Sequence, residues 1–231
     1  MAGGQPDMAD RSRELSMLPD QAPRTSEQLK QHLKLFRENP NDDHLLVEIG
    51  RDYLYLANTD KWHFLDQSAN FLKQVVSRRP NDPVVLIYLG RAVGARALNQ
   101  KPSTMTRLKW AREGFRHMDK AVKLDQNSFY LRLLRGEAQL MAHPILRRGA
   151  RLDEDHRSIL NYMEAGTYEQ LPAYQKARTQ LFLGNYYQHR KKRDKAFHHW
   201  EQVVKVAEGT PFADEAKDRL KGSFKSVGFE E

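Results

Sequence analysis

The 231-residue chain contains no cysteine, so disulfide bonds, thiolate nucleophiles and zinc sites built on sulfur are excluded. It also lacks a long apolar run. The longest, residues 84–89, is far shorter than the roughly 20 residues that cross a bilayer. Residues 1–24 carry no continuous apolar core of the kind that a secretory signal needs. These absences predict a cytoplasmic protein that does not insert into membranes.

Catalytic signatures are missing as well. No dinucleotide-binding, phosphate-loop, nucleophile-elbow or zinc-protease motif occurs in the chain. His198 and His199 lie next to Glu201, but adjacent helical residues point about 100° apart and do not converge on one metal ion. The acidic run 153–155 stands where a helix is predicted to begin, which favours capping over acid–base chemistry. The sequence therefore predicts no enzymatic activity, no metal and no cofactor.

What the chain does contain is an internal repeat. In three stretches a glycine follows a turn position by ten residues, with an apolar stripe between them: 40–51, 80–91 and 126–136. Repeated units of this kind stack and share one continuous core. The pattern predicts one array of units rather than separate globular domains.

Start and stop signals divide this array into about ten helices, with no convincing strand. Thr25 and Gln28 form a capping box, Asp82 and Pro83 begin another helix, and Asp153 is the predicted cap of a later one. We expect a disordered leader at 1–24, a helical repeat domain at 25–224 and a flexible tail at 225–231.

The repeat resembles the tetratricopeptide repeat (TPR), a helix-turn-helix unit of about 34 residues. The last full unit carries small and bulky residues at the spacing of that family: Gly184, Tyr187, Ala196, Trp200 and Val203. The resemblance implies an all-α, TPR-like α-solenoid, with a C-terminal helix at 212–221 that covers its open end. The segment 132–148 resembles uncharacterised bacterial TPR proteins, which suggests a bacterial source.

The repeat glycines depart from the family spacing. Gly50, Gly90, Gly136 and Gly184 follow one another at intervals of 40, 46 and 48 residues. Because the segment from turn to glycine is constant, the extra residues fall within the units and lengthen the helices of the first two. The third unit lacks the expected small and bulky positions. We therefore expect lengthened, irregular repeats.

The resemblance also implies a partner-binding groove along the first helices of the units. In TPR proteins the residue after the repeat glycine and the residue three before it tend to face this groove. Here these residues are Val47, Arg51, Ile87, Arg91, Leu133, Glu137, Leu181 and Asn185. Apolar residues with two arginines suit an acidic or amphipathic segment of a protein partner. The predicted function is that of an adaptor or assembly scaffold.

An alternative follows from the net charge of +8 and the pI of about 9.6, which favour acidic surfaces of any kind. Two basic loops concentrate this charge: Arg147, Arg148 and Arg151 in one, and Arg190, Lys191, Lys192 and Arg193 in the other. Nucleic acid or an anionic surface is the alternative partner, although no aromatic residues interleave these cations as base stacking requires. Self-association through apolar surface on the lengthened helices is a further alternative.

Overall fold

The computed structural model describes residues 23–57 and 61–222. Over these ranges it contains ten α-helices and no strand, as the sequence predicts: α1 (Ser26–Glu38), α2 (Asp43–Leu56), α3 (His63–Arg78), α4 (Pro83–Ala95), α5 (Thr104–Leu124), α6 (Phe129–Leu140), α7 (Gly149–Glu164), α8 (Ala173–His189), α9 (Arg193–Val206) and α10 (Pro211–Leu220). Three connections contain 3-10 helices: Arg96–Leu98, Pro144–Leu146 and Thr167–Gln170. No described helix is long and apolar enough to cross a membrane.

The predicted leader at 1–24 and the predicted tail at 225–231 lie outside the described residues, except for residues 23 and 24. Arg24 is bonded to the body of the protein, because its Nη1 donates to Glu48 at 2.7 Å and to Asp52 at 2.9 Å. Both acceptors lie on α2. The interaction of the chain with the helical array therefore begins before α1.

Helix starts follow the predicted capping residues, with one exception. Thr25 and Gln28 form the capping box of α1, and Asp82 accepts hydrogen bonds from two backbone N–H groups in the first turn of α4. The prediction that Asp153 caps a helix is wrong, because α7 already begins at Gly149. The acidic run 153–155 lies inside α7, where its carboxylates contact arginines of neighbouring helices.

The helices pair into four hairpins, α2–α3, α4–α5, α6–α7 and α8–α9, with α1 before the first and α10 after the last. In the α4–α5 hairpin the two backbones touch: a Cβ added to Gly114 would lie 2.6 Å from the carbonyl oxygen of Gly90. In the α8–α9 hairpin a Cβ on Gly184 would lie 2.4 Å from the Trp200 ring. Glycine at these positions is what permits the close approach of the paired helices.

The second hairpin is lengthened, as the glycine spacing predicts. Its second helix, α5, spans 21 residues, and its first helix continues into the 3-10 helix Arg96–Leu98. Arg107 Nε of α5 donates to the carbonyl oxygen of Ala97 at 2.8 Å. This bond joins the two extended ends to each other.

Two apolar clusters form the core and meet at α6. Leu131 and Leu134 of α6 belong to the first cluster, which includes residues of α2 to α5. Phe129 and Leu133 of the same helix belong to the second, which extends to α10. Because α6 contributes to both, the core is continuous along the array. At its end Ala216 of α10 is buried in the second cluster, which confirms the predicted covering helix.

Two histidines are packed among tyrosines in the second cluster. The His156 ring stacks on Tyr186 with 3.7 Å between centroids, and its Nε2 lies 3.3 Å from the Tyr187 hydroxyl. The His199 ring stacks on Tyr187, and its Nδ1 lies 2.7 Å from the amide oxygen of Gln180. Burial, which is the largest cause, and neighbouring charged groups together bring the pKa of both histidines from 6.5 down to about 4.

This packing predicts a loss of stability in mild acid. In the unfolded chain His156 takes up a proton below about pH 6.5, whereas in the folded chain it stays neutral until about pH 4. The stabilising contribution is complete above pH 6.5 and falls as the pH is lowered, by about 2 kcal/mol at pH 5 for a pKa shift of this size. Urea unfolding between pH 7 and pH 5 measures it.

The matched variants are His156→Gln and His63→Gln, the latter at an exposed histidine. We expect the first to flatten the pH dependence of the free energy of unfolding and the second to leave it unchanged. An unaltered slope in His156→Gln would contradict the assignment.

Candidate functional site

The first helices of the hairpins, α2, α4, α6 and α8, lie side by side. Tyr55 of α2 and Arg178 of α8 have two helices between them, yet Arg178 Nη1 donates to the Tyr55 hydroxyl at 3.0 Å. Neighbouring helix axes are about 8–10 Å apart, so a flat layer would place these two helices roughly 24–30 Å apart, beyond the combined reach of the two side chains. The layer is therefore curved, and we call its concave side the inner face.

Four side chains at the centre of the inner face form a hydrogen-bonded group, the inner-face cluster: Tyr55, Arg91, Glu137 and Arg178. Glu137 accepts from Arg178 Nε and Nη2, both at 2.6 Å, and from Arg91 Nη1 at 2.7 Å. Each member comes from a different first helix. The cluster therefore links all four hairpins across the inner face.

The charges of the cluster stabilise one another. Burial would raise the pKa of Glu137, but Arg178 and Arg91 outweigh it and hold this pKa below its usual range. Burial would likewise lower the pKa of both arginines, and Glu137 reverses that effect. Two guanidinium groups face one carboxylate, so the cluster retains a net charge of +1.

Four of the eight predicted groove residues are buried. Ile87, Leu133 and Leu181 pack in the core, so they do not supply apolar surface to the inner face. Arg51 is only 3% exposed; it donates to Glu48 at 2.7 Å and lies over the Tyr88 ring. Ile87, Leu133 and Leu181 each lie three residues before a repeat glycine, and each belongs to one of the apolar clusters of the core.

The other four predicted groove residues are half-buried: Val47, Arg91, Glu137 and Asn185. Arg91 and Glu137 meet in the inner-face cluster. Asn185 accepts a hydrogen bond from Trp200 Nε1 at 3.1 Å, which orients it toward α9. Of the predicted set, Arg91 and Glu137 are thus hydrogen-bonded to each other.

Sequence reasoning missed Tyr55 and Arg178. Tyr55 lies four residues after Arg51, and Arg178 lies seven before Asn185, so both continue the helical face that the predicted positions define. Extending that face by one turn forward and two turns backward would have found them. Their contact could not have been predicted, because the two residues are 123 apart in sequence.

An apolar pocket opens beside the inner-face cluster, about one helical turn beyond the predicted groove positions. It lies between α2, the end of α4, α5 and the end of α6, and Arg91 is the one charged residue of its described lining. That lining is Leu54, Arg91, Gly94, Ala95, Ala97, Leu98, Ala111, Phe115, Met118, Ala138, Met141 and Ala142. Half of these residues are glycine or alanine, and their small size creates the space.

The size and chemistry of the pocket limit what it can hold. Its volume is about 90 Å³, smaller than the roughly 150 Å³ cavity that encloses benzene, so it can take the end of one aliphatic side chain inserted from the surface but not a whole aromatic ring. Met141 lines the pocket and is 40% exposed, so the pocket reaches the surface. None of the described lining residues is a nucleophile or a general base. The pocket is therefore suited to binding an apolar group rather than to chemistry.

The basic residues are partly neutralised. Arg148 donates to Asp119 at 2.6 and 2.9 Å, Arg151 pairs with Glu154 at 3.0 Å, and Arg190 pairs with Asp153. Two of the predicted loop residues are helical instead: Arg151 in α7 and Arg193 in α9. Arg147, Lys191, Lys192 and Arg193 are exposed. No group of acidic or histidine residues in the described part of the chain could hold a metal ion.

The described helices define a TPR-like α-solenoid. They stack as hairpins with glycines at the contacts within or between them, and the first helices of the hairpins form a concave layer. The crystal structure of a thermophilic TPR protein from Thermus thermophilus is similar to this chain, with a TM-score of 0.63 and 15% sequence identity. The match covers 84% of this chain and 88% of the Thermus protein. No protein-family model matches the chain, and no curated protein sequence matches it. The likeness is one of fold.

Proposed function

We propose that the protein is a non-catalytic protein–protein interaction module, an adaptor or assembly scaffold that binds a segment of a partner along its inner face. The observation that carries this proposal is the apolar pocket, which reaches the surface at Met141 beside the inner-face cluster. The TPR-like fold supports it, since stacked repeats create an extended concave surface suited to binding. The lining supports binding rather than catalysis, because Arg91 is the only ionisable residue among the described residues of the pocket.

The pocket and the cluster together indicate the chemistry of the partner segment. An aliphatic side chain, such as that of leucine, isoleucine or methionine, fills a space lined almost entirely by carbon atoms. The net charge of +1 on the inner-face cluster favours a carboxylate close to this anchor. An amphipathic segment with one aliphatic anchor and a flanking acidic residue meets both conditions.

Site-specific photo-crosslinking tests the location of the partner. Benzoylphenylalanine replaces Met141 at the pocket or, as a control, Leu35 on α1, which is similarly exposed at 41%. We expect a native lysate to give one dominant crosslink at 141 that is absent at 35, and mass spectrometry to map it to a segment with an aliphatic anchor. Equal labelling at both positions would contradict the proposal.

Filling the pocket should weaken binding of the mapped segment. A Cβ on Gly94 would meet its nearest neighbouring atoms only at 3.7 and 3.9 Å, which is ordinary contact, so Gly94→Leu can direct its side chain into the space. Excluding one aliphatic anchor removes about 1.5–3 kcal/mol of apolar burial, which corresponds to about a 10- to 150-fold rise in Kd. Calorimetry with the purified segment measures the change.

Leu35→Ala serves as the control for Gly94→Leu, since it removes exposed apolar surface away from the inner face. We expect it to leave the Kd unchanged. Unchanged affinity in a folded Gly94→Leu protein would show that the partner does not use the pocket.

A further inference from the structure

A second pocket, which we call the end pocket, lies at the C-terminal end of the array. It has a volume of about 370 Å³ and lies between the α8–α9 turn, α9 and α10. Its lining includes Lys191, Arg193, Phe197, Trp200, Arg219 and Gly222. None of its described lining residues lies on the first three hairpins. The end pocket is therefore separate from the apolar pocket on the inner face.

The end pocket combines aromatic rings with cations. Arg193 lies over the Phe197 ring at 5.1 Å, and Arg219 lies over the Trp200 ring at 5.8 Å. A guanidinium stacked on a ring keeps N–H groups at its edge available to carboxylates. Those of Arg219 already donate to Glu215 and Gln188, so Arg193 is the stacked cation that can offer them to another segment. Within the described residues no carboxylate lines the pocket, and Lys191 and Arg193 are exposed. This surface is complementary to a segment that carries both an aromatic ring and acidic groups.

The chain itself supplies such a segment. Gly222 lines the end pocket, and the sequence continues from it for nine residues, 223–231. This segment contains the apolar residues Phe224, Val227 and Phe229 and ends in Glu230 and Glu231. With one lysine against two glutamates, its side chains carry a net charge of −1. Phenylalanine next to paired glutamates matches the aromatic and basic lining of the end pocket.

Length and tethering favour binding in cis. Glu230 lies eight positions after Gly222, enough for roughly 26–29 Å of extended chain, so the segment can fold back onto the pocket where it begins. A short flexible tether gives an effective concentration in the millimolar range. An interaction with a Kd below about 1 mM is then well populated within one molecule.

We propose that the segment 223–231 binds in the end pocket of its own chain. The Phe229 ring packs against the half-buried Phe197, because Trp200 is only 2% exposed and offers no open face, and Glu230 and Glu231 pair with Lys191 and Arg193. The segment thereby extends the cover that α10 places over the end of the array.

Paramagnetic NMR on the full chain tests this directly. Because the chain has no cysteine, Gly228→Cys provides a single site for a nitroxide label. We expect the label to broaden the indole N–H signal of Trp200 strongly and that of Trp110 in α5 not at all. Adding Glu230→Lys and Glu231→Lys should reduce the broadening to that of a freely diffusing tail, as should Lys191→Glu with Arg193→Glu, both at exposed residues.

Three results would overturn the proposal. One is absence of broadening at Trp200, and another is broadening that persists fully in both charge-reversed proteins, as expected for a tail that only diffuses nearby. The third comes from a mixture of isotope-labelled chain without nitroxide and spin-labelled chain without isotopes. Broadening of the Trp200 signal in this mixture would show that the segment binds to a second copy of the chain.

Peptide competition gives an independent readout. A synthetic peptide with the sequence of 223–231 should bind the wild-type chain weakly, because the tethered segment competes for the end pocket. It should bind a Phe229→Ser/Glu230→Lys/Glu231→Lys chain at least about tenfold more tightly, since the competitor has been removed. Equal affinity for the two chains would contradict binding in cis.

Discussion

Gly114→Ala should destabilise the protein by at least about 3 kcal/mol, although alanine is the better helix former. A Cβ at this position would lie 2.6 Å from the carbonyl oxygen of Gly90 and 2.6 Å from the Cα of Gly94. These are backbone atoms of α4, so no side-chain rotation relieves the overlap. The two helices must separate, and the apolar contacts on both sides of the glycines loosen with them. Urea unfolding measures the loss.

The same interface provides the matched control. A Cβ on Gly94 would come no closer than 3.7 Å to α5, so Gly94→Ala introduces no overlap. We expect it to be neutral or to stabilise by about 0.5–1 kcal/mol, the usual gain of alanine over glycine in a helix. A Gly114→Ala protein as stable as the Gly94→Ala protein would show that α4 and α5 do not approach each other as closely as described.

Asp155→Asn should cost about 3–5 kcal/mol, the usual penalty for removing one partner of a buried ion pair. Asp155 has no solvent exposure and accepts hydrogen bonds from Arg135 at 2.6 and 2.9 Å and from Gln139 at 2.7 Å. Burial raises the pKa of Asp155 by more than Arg135 lowers it. Asparagine keeps the shape of the side chain but removes its charge. Arg135, which is only 2% exposed, then lacks its main counter-charge.

Two comparisons isolate the cause. Glu154→Gln, at a neighbouring carboxylate whose side chain is 38% exposed, should cost less than about 1 kcal/mol. Replacing both partners with apolar residues, Asp155→Leu with Arg135→Met, should recover most of the loss. A double variant as unstable as Asp155→Asn would show that the ion pair is not what the substitution disrupts.

Much of the fold could be predicted because its signals are local. Thr25 and Asp82 accept hydrogen bonds from nearby backbone N–H groups, so the sequence alone locates two helix starts. Gly184 and Trp200 are paired by their spacing in the repeat, and the structure places them in contact. The prediction failed at Asp153, an acidic residue of the type that caps helices. It lies inside α7 instead, and its carboxylate accepts hydrogen bonds from Tyr186 and Arg190, which are distant in sequence.

The candidate site was harder to predict because it depends on curvature and on empty space. Ile87 and Arg91 lie one turn apart on α4, yet the first is buried and the second reaches Glu137. Helical periodicity alone does not decide which edge of an apolar face turns toward the next hairpin. The apolar pocket arises where Gly94 and Ala138 leave volume unfilled, and no sequence pattern marks a missing side chain.

The central claim is that the apolar pocket accepts an aliphatic side chain, and methyl NMR with N-acetyl-leucinamide tests it even before the partner is identified. Met118 and Met141 line the pocket, whereas Met105 is 73% exposed elsewhere on α5. We expect saturable shifts of the Met118 and Met141 methyl signals, with a Kd of about 10–100 mM for burial of one side chain. Gly94→Leu should abolish these shifts, and Met105 should not respond. Equal, non-saturating shifts at Met105 and Met141, or saturable shifts that persist in Gly94→Leu, would contradict the claim.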